Sequence, residues 1–183
     1  MPYTNLNYQL TNCEKLQSRE RMLEVAFDFH TMCTESKRSH LYCVHSVISG
    51  LALEIILKSF NSKMSDSEET VYLPTFEYIQ NKQRWKNHNL MALLDNVPPA
   101  VRGYLFQRED IEIIEKFQNV FTAERYRYES SSRTTFDNQF IKLVGRTIFK
   151  MIALYKWQGS EDAFITLIDD IEFERLRCCL YRR

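Results

Sequence analysis

The pattern of apolar and polar positions changes twice within the first sixty residues. Residues 1–16 are polar with scattered Tyr and Leu and no helical stripe, so an irregular arm is expected there. From Ser18 onward Met22, Leu23, Val25, Ala26, Phe29, Met32 and Cys33 recur at threes and fours, which predicts an amphipathic helix of about five turns. Thr34-Glu-Ser-Lys37 ends it. A second helix is expected from near Ser39 to Phe60. Its section from Val47 to Leu57 is apolar over most of its circumference, as in a helix at the centre of a bundle. One carboxylate, Glu54, interrupts that section. Its neighbours at i±3 and i±4 are Gly50, Leu51, Leu57 and Lys58, so only Lys58 offers local charge.

Residues 61–87 turn polar, with Ser-Asp-Ser-Glu-Glu at 65–69 and Pro74, and read as a long connection of the kind that serves a function or moves. His88-Asn-Leu-Met-Ala-Leu-Leu94 opens a short third helix. It must stop before Val97-Pro98-Pro99, because a residue preceding proline resists the helical region, and a turn or short helix follows. Asp110 is expected to cap a fourth helix with the stripe Ile111, Ile114, Phe117, Val120 and Phe121. After a polar segment at 124–133, Phe136, Phe140, Val144, Ile148, Ile152 and Tyr155 predict a fifth helix with Gly159 at its end. Ser160-Glu-Asp162 opens one more, carrying Phe164, Leu167, Ile168, Ile171 and Leu176. The expected fold is all-α, an antiparallel bundle of five to six helices. It divides into an arm at 1–16, a bundle at 17–159 and a C-terminal helix at 160–183 packed on it.

Composition supports this reading and removes several functions. Four Gly and four Pro leave little of the punctuation that hairpins need. Acidic and basic residues balance at 24 each, so no overall field recruits nucleic acid or an anionic membrane. Five cysteines, at 13, 33, 43, 178 and 179, lack zinc-ribbon or thioredoxin spacing and read as reduced thiols of a cytoplasmic protein. The vicinal pair Cys178-Cys179 has no His or Asp close to it in sequence and makes a poor set of metal ligands, so neither a metal nor a cofactor is expected. The amino terminus lacks the pattern of a signal peptide, and Val47–Leu57 is too short to span a bilayer, so no membrane partner is expected. Glycine-rich phosphate loops, His-Glu-x-x-His and Gly-x-Ser-x-Gly are absent. Asp169, Asp170, Glu172 and Glu174 on one helix would point in several directions and read as a solvated face.

Two local clusters mix base-stacking and phosphate-binding residue types. Lys82, Arg84, Trp85, Lys86 and His88 form one, and Arg125, Tyr126, Arg127, Tyr128 and Arg133 the other, diluted by Glu124 and Glu129. Arg supplies phosphate contacts while Trp and Tyr offer faces for unpaired bases, so both are candidate RNA contacts.

Gly50-Leu-Ala-Leu-Glu-Ile-Ile-Leu-Lys58, then His88-Asn-Leu-Met-Ala-Leu-Leu94, then Glu124-Arg-Tyr-Arg-Tyr128, resemble in order the HEPN superfamily, the "higher eukaryotes and prokaryotes nucleotide-binding" helical domains. The resemblance spans roughly residues 20–157. It implies a bundle of four or five helices, homodimerisation, and a place in defence, toxin–antitoxin or nucleotidyltransferase-linked systems. Many members are metal-independent ribonucleases that use an Arg followed by four to six residues and a His. There a His moves the 2′-hydroxyl proton while Arg stabilises phosphate charge. Arg38 and His45 meet that spacing here, but they lie before and at the start of the Leu-Glu helix, where the family places its pair after it. Arg84 and His88 are separated by only three residues, and no His follows Arg133 or Arg146.

Three functions follow. The first is a non-catalytic HEPN-like protein acting by association, as a homodimer or with a protein partner or RNA. The second is an endoribonuclease with Arg38, His45 and Glu54 across a dimer cleft. The third is an immunity or inhibitor protein that blocks a toxin. Glu54 itself has two readings. It is a polar pin at a bundle or dimer seam, paired with Lys58, His45 or a basic residue of another helix, with Lys58 and His88 as interface residues, or it is a perturbed carboxylate lining a pocket with His45 or His88.

Overall fold

A computed structural model describes residues 13–35, 42–65, 74–123 and 138–179. The described chain is mostly helical. Its elements are α1 (Glu20–Glu35), α2 (Tyr42–Ser59), β1 (Ser62–Met64), β2 (Phe76–Tyr78), a 3₁₀ helix (Arg84–Asn87), α3 (Leu90–Leu94), α4 (Pro99–Leu105), α5 (Arg108–Lys116), α6 (Val120–Ala123), α7 (Asn138–Trp157), α8 (Ala163–Leu167) and α9 (Asp170–Cys178).

The core forms where α1, α2 and α7 pack on one another. Burial on α2 includes Ala52, Leu53, Ile56 and Leu57, and α7 is buried on most of its faces between Phe140 and Tyr155. Such all-round burial is what an apolar helix requires, since no face of it prefers water. The short helices α3 to α6 close one side, bringing Leu90, Leu93, Leu94, Val101, Leu105 and Ile114 into the same core. The Phe117 ring stacks on Phe140 with centroids 4.3 Å apart. Gly159 ends α7 at φ +76°, a conformation that favours glycine, as its expected place at the helix end requires.

Several expectations are corrected. The connection after α2 is not structureless. It contains a two-stranded antiparallel sheet in which Ser62 pairs Tyr78, Lys63 pairs Glu77 and Met64 pairs Phe76. Three-residue strands are too short to reveal a period of two. The fourth helix breaks after Lys116, and Val120 and Phe121 belong to the separate α6. Asp110 does not sit at the N-cap of α5. Gln107 does, and Asp110 lies three residues on, its Oδ2 accepting from the Gln107 backbone N–H at 3.0 Å. The single helix expected after Ser160 is two, capped separately by Asp162, which accepts from Phe164 N, and by Asp169, which accepts from Ile171 N. Leu167 and Ile171, two of the apolar residues assigned to that helix, are exposed.

Two polar ties hold the periphery. The segment before α1 is irregular but docked, with Leu16 N donating to Gln158 Oε1 at 2.9 Å and Gln158 Nε2 to the Glu14 carbonyl at 2.9 Å. Within the bundle Arg146 of α7 donates to Asp110 Oδ1 at 2.7 Å and to the carbonyl of Cys179 at 3.3 Å. Both members of the Arg146–Asp110 pair are buried. No described helix is long and apolar enough to cross a membrane.

Candidate functional site

Glu54 lies on the part of α2 that faces α3 and the hairpin. It is buried, 4% exposed. Its Oε1 accepts from Lys58 Nζ at 2.6 Å, one helical turn on, and meets His88 Nδ1 at 3.1 Å. The other oxygen, Oε2, is buried with no hydrogen-bond partner. One carboxylate oxygen therefore holds two nitrogen groups that come from different elements. Charge-assisted contacts of this kind offset much of the cost of removing a carboxylate from water.

His88 is carried to Glu54 by the loop that follows β2. The amide of buried Asn87 accepts from Asn81 N at 2.7 Å and donates to the Asn81 carbonyl at 3.3 Å, closing residues 81–87 upon themselves. Asn89 then caps α3, accepting from Ala92 N at 2.9 Å, while its Nδ2 donates to Gln118 Oε1 and Asn119 Oδ1. His88 sits between these two fixed asparagines, with its ring edge-on to Phe121 and its side chain exposed to solvent.

An open cleft of about 540 Å³ lies over this arrangement. Lys58, Glu77, Tyr78, Gln80, Arg84 and His88 line it. The Lys58 ammonium stands 5.1 Å from the centre of the Tyr78 ring, a cation–π contact that keeps the lysine folded toward the cleft wall. Trp85 beside the cleft is 62% exposed, and Lys86 Nζ lies 5.5 Å from its ring centre. No acidic residue occurs between Glu77 and Asp95, and Glu77 is engaged by Lys63 across the sheet at 3.4 Å. Lys82 and Arg84 make no ion pair among the described residues. The chain is neutral as a whole, yet this face is locally cationic and carries an exposed indole.

The expected site residues are thus sorted. Glu54, Lys58 and His88 come together, and Arg84 joins Lys58 and His88 around the cleft, with Trp85 and Lys86 next to it. His45 does not reach them. It precedes Glu54 by nine residues of one helix, about two and a half turns, so the two leave α2 on opposite sides. Its carbonyl accepts from the Cys33 thiol at 3.5 Å, against α1. Arg38, Arg125 and Arg127 lie outside the described residues. The pairing of Glu54 with His88 across 34 positions gave only one local signal, a histidine just before an apolar helix.

Chemically the cleft can hold an anion between Lys58 and Arg84 and stack a planar group on Trp85. His88 keeps Nε2 without a bond among the described residues while Glu54 orients Nδ1, so it can also pass a proton. Comparison with protein-family models, with curated proteins and with solved structures finds no match for this chain.

Proposed function

We propose that this chain is a HEPN-like helical protein that acts by association, taking single-stranded RNA in the cleft beside α2. The observation that carries the reading is convergence. The charged pair on α2, Glu54 with Lys58, and the basic and aromatic strip at 82–88 are distant in sequence, yet they meet around one cleft. Phosphate would sit against Lys58 and Arg84, and an unstacked base against Trp85. The homodimer and the protein partner implied by the resemblance belong to the same reading.

Fluorescence anisotropy with a labelled single-stranded oligoribonucleotide tests it. Trp85→Ala should weaken binding by about tenfold, the usual worth of one stacked base. Arg84→Ala should lower the slope of log affinity against log salt by about 0.7, as expected for one lost phosphate contact on a single strand. A duplex of the same sequence should bind less well, because its bases are unavailable for stacking. Equal binding by wild type and both variants would remove the cleft from the function.

One observation favours a second reading, a metal-independent endoribonuclease. Glu54 holds His88 by Nδ1, the arrangement that orients an imidazole for general acid–base work, and Arg84 and Lys58 stand ready for phosphate charge. In this version His88 takes the role that spacing had suggested for His45. Cleavage of RNA in chelator, lost in His88→Ala and kept in His45→Ala, is the result it requires.

A further inference from the structure

Because the chain is neutral as a whole, the positive charge gathered beside the cleft is matched by negative charge elsewhere. Between Lys156 and Arg175 lie six carboxylates and no basic residue, just as no acid lies between Glu77 and Asp95. This acidic stretch holds α8 and the start of α9. Within it Leu167 is 79% exposed and Ile171 69% exposed, four positions apart across the Asp169 cap. Glu161, Asp162, Asp169 and Asp170, which flank them in sequence, make no ion pair among the described residues. Capping by Asp162 and Asp169 fixes the two short helices, so the pair of aliphatic side chains is held out in water by structured backbone.

We infer that this acidic face of α8 and α9 docks, head to tail, on the cationic face at Trp85 of a second copy of the chain. Each face carries two large apolar side chains that the fold leaves exposed, Leu167 and Ile171 on one, Ile79 and Trp85 on the other. Each is flanked by charge of a single sign, and the signs are opposite. Contact takes both apolar pairs out of water while the carboxylates meet Lys82, Arg84 and Lys86. An unrelated basic or acidic partner would answer one face only. A second copy answers both, since every molecule presents the complement of its own patch.

The contact has to form between molecules. Arg19, just before α1, donates to Ser62 of the hairpin at 2.9 Å, whereas Glu35 at the far end of α1 pairs with Arg175 of α9 at 3.3 Å. The sixteen residues of α1, about 24 Å of helix, separate these two ties and keep α9 from folding back over the cleft. Since the two docking patches differ, each pair of molecules leaves one patch of each kind free. Association therefore continues into longer chains unless the rotation between copies closes a ring. Salt should weaken it, because opposite charges draw the faces together. Trp85 and Arg84 belong to the docked face, so a second copy and RNA would compete for it, but the contact itself requires no RNA.

Sedimentation velocity on the full chain, reduced and freed of RNA by ribonuclease, tests this across micromolar to millimolar protein. The wild type should sediment faster as its concentration rises, and less so in high salt. Leu167→Ser with Ile171→Ser should weaken association by about tenfold or more, the worth of one or more aliphatic side chains returned to water. Arg84→Ser with Trp85→Ser should do the same from the other face. Each double variant keeps the face that the other lacks, so a mixture of the two should form a complex that stops at one copy of each. That complex also shows that both variants are folded. A wild type that stays monomeric, a Leu167→Ser, Ile171→Ser protein that associates as the wild type does, or a mixture that remains monomeric would overturn the contact. No RNA enters the measurement, so its result stands apart from RNA binding at the cleft.

Discussion

Removing Lys58 should cost more stability than removing Glu54, although the two form one ion pair. The side chain of Glu54 is 5% exposed and that of Lys58 is 18% exposed at the edge of the cleft. In Lys58→Met the carboxylate stays buried with His88 as its remaining partner, and an uncompensated buried charge costs about 3 kcal/mol, the low end of the usual range because that partner remains. In Glu54→Gln the lysine is left instead, and it can turn to cleft water while keeping the face of Tyr78, so the loss should be about 1 kcal/mol. Glu54→Leu combined with Lys58→Met replaces the pair by apolar groups and should fall within about 1 kcal/mol of wild type or above it. Urea unfolding followed by circular dichroism reads all three, provided the slope with denaturant is unchanged, so that midpoints report stability. A Lys58→Met variant no less stable than Glu54→Gln would refute the account of Glu54 as a buried carboxylate held by its partners.

Three further outcomes are expected. Asp110→Ala leaves Arg146 buried without its carboxylate and the Gln107 N–H without its acceptor, and should cost about 3–5 kcal/mol by denaturant melt. His30 is protonated at higher pH in the unfolded chain than in the folded one, so its contribution opposes folding as pH falls from 6.5 toward about 4. The loss over that window is roughly 3 kcal/mol, and His30→Leu should flatten the corresponding limb of the stability–pH curve. Gly145→Ala places a methyl group against the His30 ring and Cys179 Sγ, and should lower the melting temperature through an overpacking cost of about 1–3 kcal/mol.

Long periodic segments were legible in the chain and short ones were not. The stripes of α1 and α7 and the all-round apolar run of α2 each extend over several turns, so packing reinforces one pattern many times. The hairpin escaped because three residues per strand cannot display alternation, and its pairing joins segments far apart in sequence. At the C-terminal side the apolar spacing of Phe164, Leu167 and Ile168 runs into Ile171, which suggested one helix. The capping carboxylates Asp162 and Asp169 instead start two, and the second begins too soon for the stripe to stay in phase. The cleft was half visible. Glu54 with Lys58 is a local pair, and Arg84, Trp85 and Lys86 are a local cluster, but only the tertiary fold brings His88 to Glu54 rather than His45.

Arg146 links two regions that would otherwise open independently. Its guanidinium reaches the carboxylate at the first turn of α5 with one nitrogen and the carbonyl that follows α9 with another. If α9 swings away, the cation loses one neighbour and gains water, which weakens its hold on Asp110 and so on the start of α5. Undocking of the last helix and fraying of a helix on another part of the bundle thus share one free energy, and amides of the two should exchange with solvent as a single cooperative unit.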